Sequence, residues 1–210
     1  MDYDPSPASR GLRLRHRRNL DGLRGYAVLV VLVSHISNQN IVKYKLFGEG
    51  FGQTGVMIFF ALSGFLMVYL YMERPFNRQE LLDFARRRSA RVLPLYFAVV
   101  FLSLILTHYF PHAFQLFEIG FGDLWQYLVF WNADFVLWTI PVEIQFYCLF
   151  PLFWYLRVTY GISSMLAACM LLLMLHAYLS YNANGALLNM MPVLIPKLHF
   201  FVVGMIVCVA

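Results

Sequence analysis

Charge is what this sequence has least of. Only 13% of its 210 residues are Asp, Glu, Lys or Arg, while 60% are hydrophobic. Soluble domains carry about a quarter charged residues and about half apolar ones, so a water-soluble globular fold is excluded. Cysteine is scarce as well: Cys148, Cys169 and Cys208 are the three, each inside an apolar run. That speaks against a disulfide framework and offers no zinc-ligand spacing. Nor does any segment repeat with the period of roughly 20–50 residues that builds solenoids. Acidic residues are outnumbered, 11 against 16 Lys and Arg, for a net charge of +5. A basic excess can mark a nucleic-acid binder, but its placement argues against such a partner here. Five arginines (Arg10, Arg13, Arg15, Arg17 and Arg18) precede the first apolar run, and six more fall between Arg74 and Arg91. Basic clusters beside apolar spans are the signature of cytoplasmic loops.

What the chain does have is a series of long apolar segments. Residues 1–18 read as a basic cytoplasmic tail and residues 19–210 as one membrane domain. A cleavable signal peptide does not fit, because no small-residue cleavage site follows and Arg24 and His35 interrupt the hydrophobic region. Spans are predicted over about 22–38, 54–72, 92–110, 138–156 and 163–181, with a sixth beginning near Lys197. The reading is an all-α, polytopic membrane helix bundle of about six transmembrane helices in the plasma (inner) membrane, its N-terminus cytoplasmic. A spanning helix takes roughly 20 apolar residues. The sixth therefore reads as unfinished at Ala210, and the chain as the front part of a longer protein or a truncated product. Within the second span, Ser63-Gly64 removes side-chain bulk where a neighbouring helix can approach. After it, Asn77 with Glu80 three residues on resembles a capping box, opening a short basic helix through Arg91. Residues 111–137 hold Glu118, Asp123 and Asp134 without Lys or Arg, as an external loop would.

The chemistry centres on Asn19–Ser37, NLDGLRGYAVLVVLVSHIS. Arg24 and His35 stand eleven positions apart, which leaves them about 20° apart around a helix and about 16 Å apart along it. Ionisable groups inside a hydrophobic segment are costly and point to function by default. The plainer reading is an arginine that snorkels to the interface and a histidine with a buried hydrogen bond. A second buried charge, Glu143, sits near the outer end of the fourth span, at the depth expected for His35. A carboxylate there would orient the imidazole and stabilise its protonated form. The plainer reading places Glu143 at a helix start facing external water, where negative charge is favoured anyway. For Arg86, Arg87, Arg88 and Arg91 the competing reading is a positive-inside loop touching lipid headgroups.

Other polar residues point less clearly to chemistry. His108 and His112 have i, i+4 spacing but no third metal ligand, so a surface pair is expected and no metal site. His176 and His199 read as helix-packing or interfacial residues. Met170 and Met174 read as lipid-facing or core, and Trp125, Trp131 and Trp138 as an interfacial belt.

Four segments in this order resemble the acyltransferase-3 family of polytopic membrane acyltransferases. They are LDGLRG followed by His35, then Gly52-x-x-Gly55-Val56-x-x-Phe59-Phe60-x-Leu62-Ser63-Gly64-Phe65, then Arg87-Arg88-x-x-Arg91-Val92-x-Pro94-Leu95-Tyr96, then WTIPVEIQFY. A weaker fifth is Pro196-x-x-x-Phe200-x-x-Gly204. The resemblance implies a fold of about ten membrane helices, of which this chain would be the front part. It also implies transfer of an acyl group, commonly acetyl, from acetyl-CoA or another acyl-CoA to a hydroxyl. The acceptor would be a glycan, a lipid-linked sugar or another cell-envelope molecule. Carried over, His35 is the catalytic histidine, with Glu143 as its carboxylate. Arg24, with Arg87, Arg88 and Arg91, would bind the donor's phosphates, for which a planar guanidinium is well suited. Direct attack and a covalent acyl intermediate are both open. Competing readings are a transporter or flippase-like protein with His35 and Glu143 as a proton relay, and a truncated, inactive acyltransferase. Transporters tend to carry broken helices repeated in two halves, and none is evident here.

Overall fold

The computed structural model describes residues 7–38, 50–109, 119–131, 135–182 and 194–210. All the regular elements among them are helices: α1 (Pro7–Asn38), α2 (Phe51–Tyr71), α3 (Arg78–Tyr109), α4 (Leu124–Leu128), a 3-10 turn (Phe135–Trp138), α5 (Thr139–Tyr160), α6 (Ile162–Asn182) and α7 (Leu194–Val209). All six predicted spans are therefore helical. Four of the helical segments are long and apolar enough to cross a membrane: Asn19–Ser37, Phe51–Tyr71, Arg78–Tyr109 and Ile162–Tyr181. α5 has 22 residues, but Glu143, Gln145 and Pro151 make it more polar, and α7 has 16. The protein is a multi-pass membrane protein.

The boundaries differ from the sequence reading in three places. α1 continues back through the basic tail to Pro7, whose fixed φ suits a first helical position. The basic helix and the third span are not separate elements: α3 runs unbroken for 32 residues through Pro94. Pro94 removes one helical N–H, but Arg88 before it and Tyr96 after it are buried and the helix continues. Residues 119–131, within the expected loop, contribute to the core. Ile119 and Tyr127 are buried against Tyr96 and Val100 of α3, and the Tyr96 hydroxyl donates to the Tyr127 carbonyl at 3.0 Å. Residues 111–118 and 132–134 of that expected loop, with Glu118 and Asp134, lie outside the described residues.

The chain divides into two compact units, Met1–Ser63 and Gly64–Ala210, with the boundary inside α2. In the first, α2 lies close against α1. A Cβ on Gly55 would fall 2.7 Å from the Ala27 carbonyl oxygen and 2.8 Å from Val31 Cγ2, so the glycine sets the helix separation. In the second unit, α5 and α6 form a hairpin joined by Gly161 alone. Its φ of 89° and ψ of 178° fall in a region open to little but glycine. The Ser164 hydroxyl closes this turn, donating to the Leu156 and Gly161 carbonyls at 2.9 and 2.8 Å.

α3 runs antiparallel to α5. Phe84 meets Phe150 and Trp154, with ring centroids 5.6 and 6.4 Å apart, and Tyr71 from the end of α2 meets Phe84 at 5.0 Å. Aromatic pairs of this kind add about 0.5–1.5 kcal/mol each beyond area burial. Higher on the same two helices, Ile140 packs on the Tyr96 cluster. α7 closes the unit against both α2 and α5. Phe201 stacks on Phe146 at 4.1 Å, and a Cβ on Gly64 would collide with the Phe201 carbonyl group. The neighbour expected at Ser63-Gly64 is α7.

Candidate functional site

α1 is continuous from Arg24 to His35, which secures the shared helix face that the spacing predicts. Arg24 lies 3.6 Å from Asp21, one turn earlier on the same helix. His35 is exposed on the first unit, next to the buried Ser34. Glu143 belongs to the second unit, as the fifth residue of α5.

The arginine cluster separates by helix geometry. Positions 87 and 91 are neighbours on one face of α3, and position 88 is turned about 100° from 87. Arg86, Arg87 and Arg91 are exposed, as a headgroup-facing surface would be. Arg88 instead points into the unit and is only 8% exposed. Its guanidinium carbon lies 5.6 Å from the ring centroids of both Tyr71 and Tyr147. Cation–π contacts of this kind are worth up to about 2 kcal/mol when desolvated. Its Nε is buried without a hydrogen-bond partner among the described residues. A buried donor on a charged group is costly to leave unpaired, and an anion is what it would accept.

Tyr147 joins this guanidinium to the acid. Its hydroxyl donates to Glu143 Oε1, one turn earlier on α5, while its ring carries Arg88. The antiparallel register thus places Arg88 about one helical turn from the level of Glu143. The sequence assigned them to separate regions, one a cytoplasmic loop and the other an outer helix end. Neither Tyr147 nor Tyr71 was expected at the site. Tyr147 had a signal, since Glu143 and Tyr147 stand i, i+4 and so share a helix face. Tyr71 had none.

Gln145, also from the WTIPVEIQFY segment, ties three elements together. Its Oε1 accepts from the Leu194 N–H at the start of α7 at 2.9 Å, and its Nε2 donates to the Phe130 carbonyl. Phe130 is the non-glycine residue held at positive φ among the described residues, at 55°, a conformation that costs roughly 1–2 kcal/mol. Gln145 thus fixes the ends of α4 and α7 around the segment that carries Glu143.

The remaining polar residues pack as interface and support. At the end of α2, Arg74 donates from Nε to the Leu70 carbonyl at 2.8 Å, and its Nη1 pairs with Glu80 at 3.2 Å. Trp154 Nε1 donates to the Arg74 carbonyl at 3.0 Å. Asn77 Oδ1 accepts the Glu80 N–H at 2.9 Å, half of the expected capping box. The Glu80 carboxylate turns to Arg74 instead of back to Asn77, because a cation is the stronger partner. His108 packs its ring on Tyr109 and Phe121, while His112 lies outside the described residues. His176 and His199 pack on each other at 4.3 Å, and the His176 Nε2–H donates to the Pro196 carbonyl at 3.3 Å. They join α6 to α7. Met170 and Met174 are exposed on α6. No group of three or more His, Cys, Asp or Glu side chains comes together among the described residues.

These features define the class first: an all-α membrane protein with a buried guanidinium, a phenol and a carboxylate in contact inside its helices. The chain belongs to the acyltransferase-3 family, whose pattern, described as an acyltransferase domain, matches residues 17–209. It is 29% identical over 157 residues to the O-acetyltransferase OatA of Staphylococcus aureus, covering 66% of this chain and 24% of that protein. It is 27% identical over 160 residues to the acyltransferase MdmB of Streptomyces mycarofaciens, covering 65% of this chain and 38% of that protein. The chain thus spans about a quarter of the length of OatA. No solved structure matches it.

Proposed function

We propose that the chain serves an O-acyltransferase that moves an acyl group, acetyl in the simplest case, from an acyl-CoA to a hydroxyl of a cell-envelope carbohydrate. Family membership supports the reaction class, and the O-acetyltransferase relative supports the acetyl group. The observation that carries the donor is Arg88: a guanidinium buried on two tyrosine rings, its Nε–H unpaired among the described residues, is suited to one phosphate of CoA. Arg87 and Arg91 would add exposed positive charge that draws the polyanionic donor in, and Arg24 is a further contact. In the reaction the acceptor oxygen bonds to the thioester carbonyl carbon and the carbon–sulfur bond breaks. The hydroxyl proton passes to His35 as general base and then to the departing thiolate, giving the ester and CoA. Glu143 is the carboxylate of this acid–base machinery. The proposed setting is the inner membrane, with the N-terminus cytoplasmic and lipid around the apolar faces.

The test is transfer of radiolabelled acetyl from acetyl-CoA to envelope material by the protein in nanodiscs, with His35→Ala beside the wild type. Transfer that disappears in a well-folded His35→Ala protein is the expected result. Undiminished transfer would remove His35 from the chemistry.

A further inference from the structure

The contact between Arg88, Tyr147 and Glu143 has a direction built into it. The guanidinium lies on the face of the Tyr147 ring, and the hydroxyl of that same ring donates to Glu143. A cation on an aromatic face withdraws electron density from the ring, which makes the phenol O–H a stronger donor to the carboxylate. An anion on the unpaired Nε–H of Arg88 would neutralise that pull and relax the grip of Tyr147 on Glu143. The side chains are packed so that the two ends respond together. Tyr147 is only 7% exposed, Phe84 holds its ring edge-on at a centroid distance of 6.2 Å, and Tyr71 carries Arg88 from the other side.

We infer that Tyr147 is a positioning residue through which a phosphate of the bound donor, held on Arg88, sets the orientation of Glu143. This rests on the acyltransferase reading above and adds a regulatory step to it: Glu143 takes its working orientation on the Tyr147 hydroxyl only when the donor is present. The ligand chemistry is a phosphate ester, and two sources offer it, the donor and a lipid headgroup.

The experiment uses the full chain in phosphatidylcholine nanodiscs, with CoA as the probe. Its readouts are CoA affinity, donor KM against kcat, and the infrared carboxylate band that Glu143→Gln removes. Tyr147→Phe keeps the ring under Arg88 and deletes the hydroxyl. It should bind CoA within about twofold of wild type, lower kcat at least tenfold with KM unchanged, and lose the shift of the Glu143 band on adding CoA. Tyr147→Leu removes the ring too and should also weaken CoA binding, by about tenfold. The coupling is overturned if Tyr147→Phe shows wild-type kcat and a wild-type band shift. It is also overturned if the band shifts without CoA once phosphatidylglycerol is added, since the headgroup would then be the ligand. The donor reading fails separately, and the coupling with it, if Arg88→Gln binds CoA as tightly as wild type.

Discussion

Four arginines were candidates for the donor, and the structure ranks them by burial. A charge in water gains little from a new partner, while a buried, unpaired one gains much. Removing the charge of Arg88 with Arg88→Gln should therefore cost about 1.5–3 kcal/mol of donor binding, a loss of about ten- to a hundredfold. Arg87→Gln and Arg91→Gln should each cost less than about threefold and act mainly at low salt. Isothermal titration of CoA against the three variants checks this, and equal losses at all three would return Arg88 to the surface cluster. Its special place was not legible in the run Arg86-Arg87-Arg88, because helical spacing shows that position 88 faces away from 87 but not which face meets α5. Glu143 and His35 stand out in the sequence, since an ionisable group within an apolar run is conspicuous, and their catalytic roles are proposals. Tyr147 carried only its i, i+4 spacing from Glu143, too weak a mark to single out one tyrosine in an aromatic-rich chain.

At the level of the helices, small residues and polar side chains do different work. Gly64 lets α2 meet the backbone of α7, and Ser63-Gly64 was legible as a point of close approach although the partner helix was not. Gly64→Ala would push a methyl into the Phe201 carbonyl. Overpacking of this sort costs about 1–3 kcal/mol, so the unfolding temperature in detergent should fall by several degrees. An unchanged unfolding temperature would mean that α7 can move away freely. Gln145→Leu keeps the volume but strands the Leu194 N–H and the Phe130 carbonyl, at about 1–3 kcal/mol for each buried group left unpaired. Hydrogen exchange at Leu194 should speed up in that variant more than at Phe201, deep in the same helix. Equal acceleration at both would indicate global loosening rather than a lost clamp. The fused α3 was hidden from the sequence for a related reason. Its basic first third and Pro94 look like a boundary, and only packing against α5 explains why the helix continues.

For the molecule as a whole, charge placement predicts how the chain lies in its membrane. The tail and the 74–91 stretch hold most of the basic residues, so cysteines introduced at Ser9 and Gln79 should both be protected from impermeant reagents outside intact cells. Labelling of either from outside would reverse the orientation. In the proposed reaction, donor binding is centred on Arg88 and acid–base chemistry on His35 and Glu143. The measurement that tests that division most directly sets Arg88→Gln beside Glu143→Gln, recording CoA affinity and acetyl turnover for both. Arg88→Gln should lose donor affinity, while Glu143→Gln should keep it and lose about 10²–10⁴-fold in turnover. Wild-type turnover in Glu143→Gln, or a loss of donor affinity there as large as in Arg88→Gln, would contradict the account.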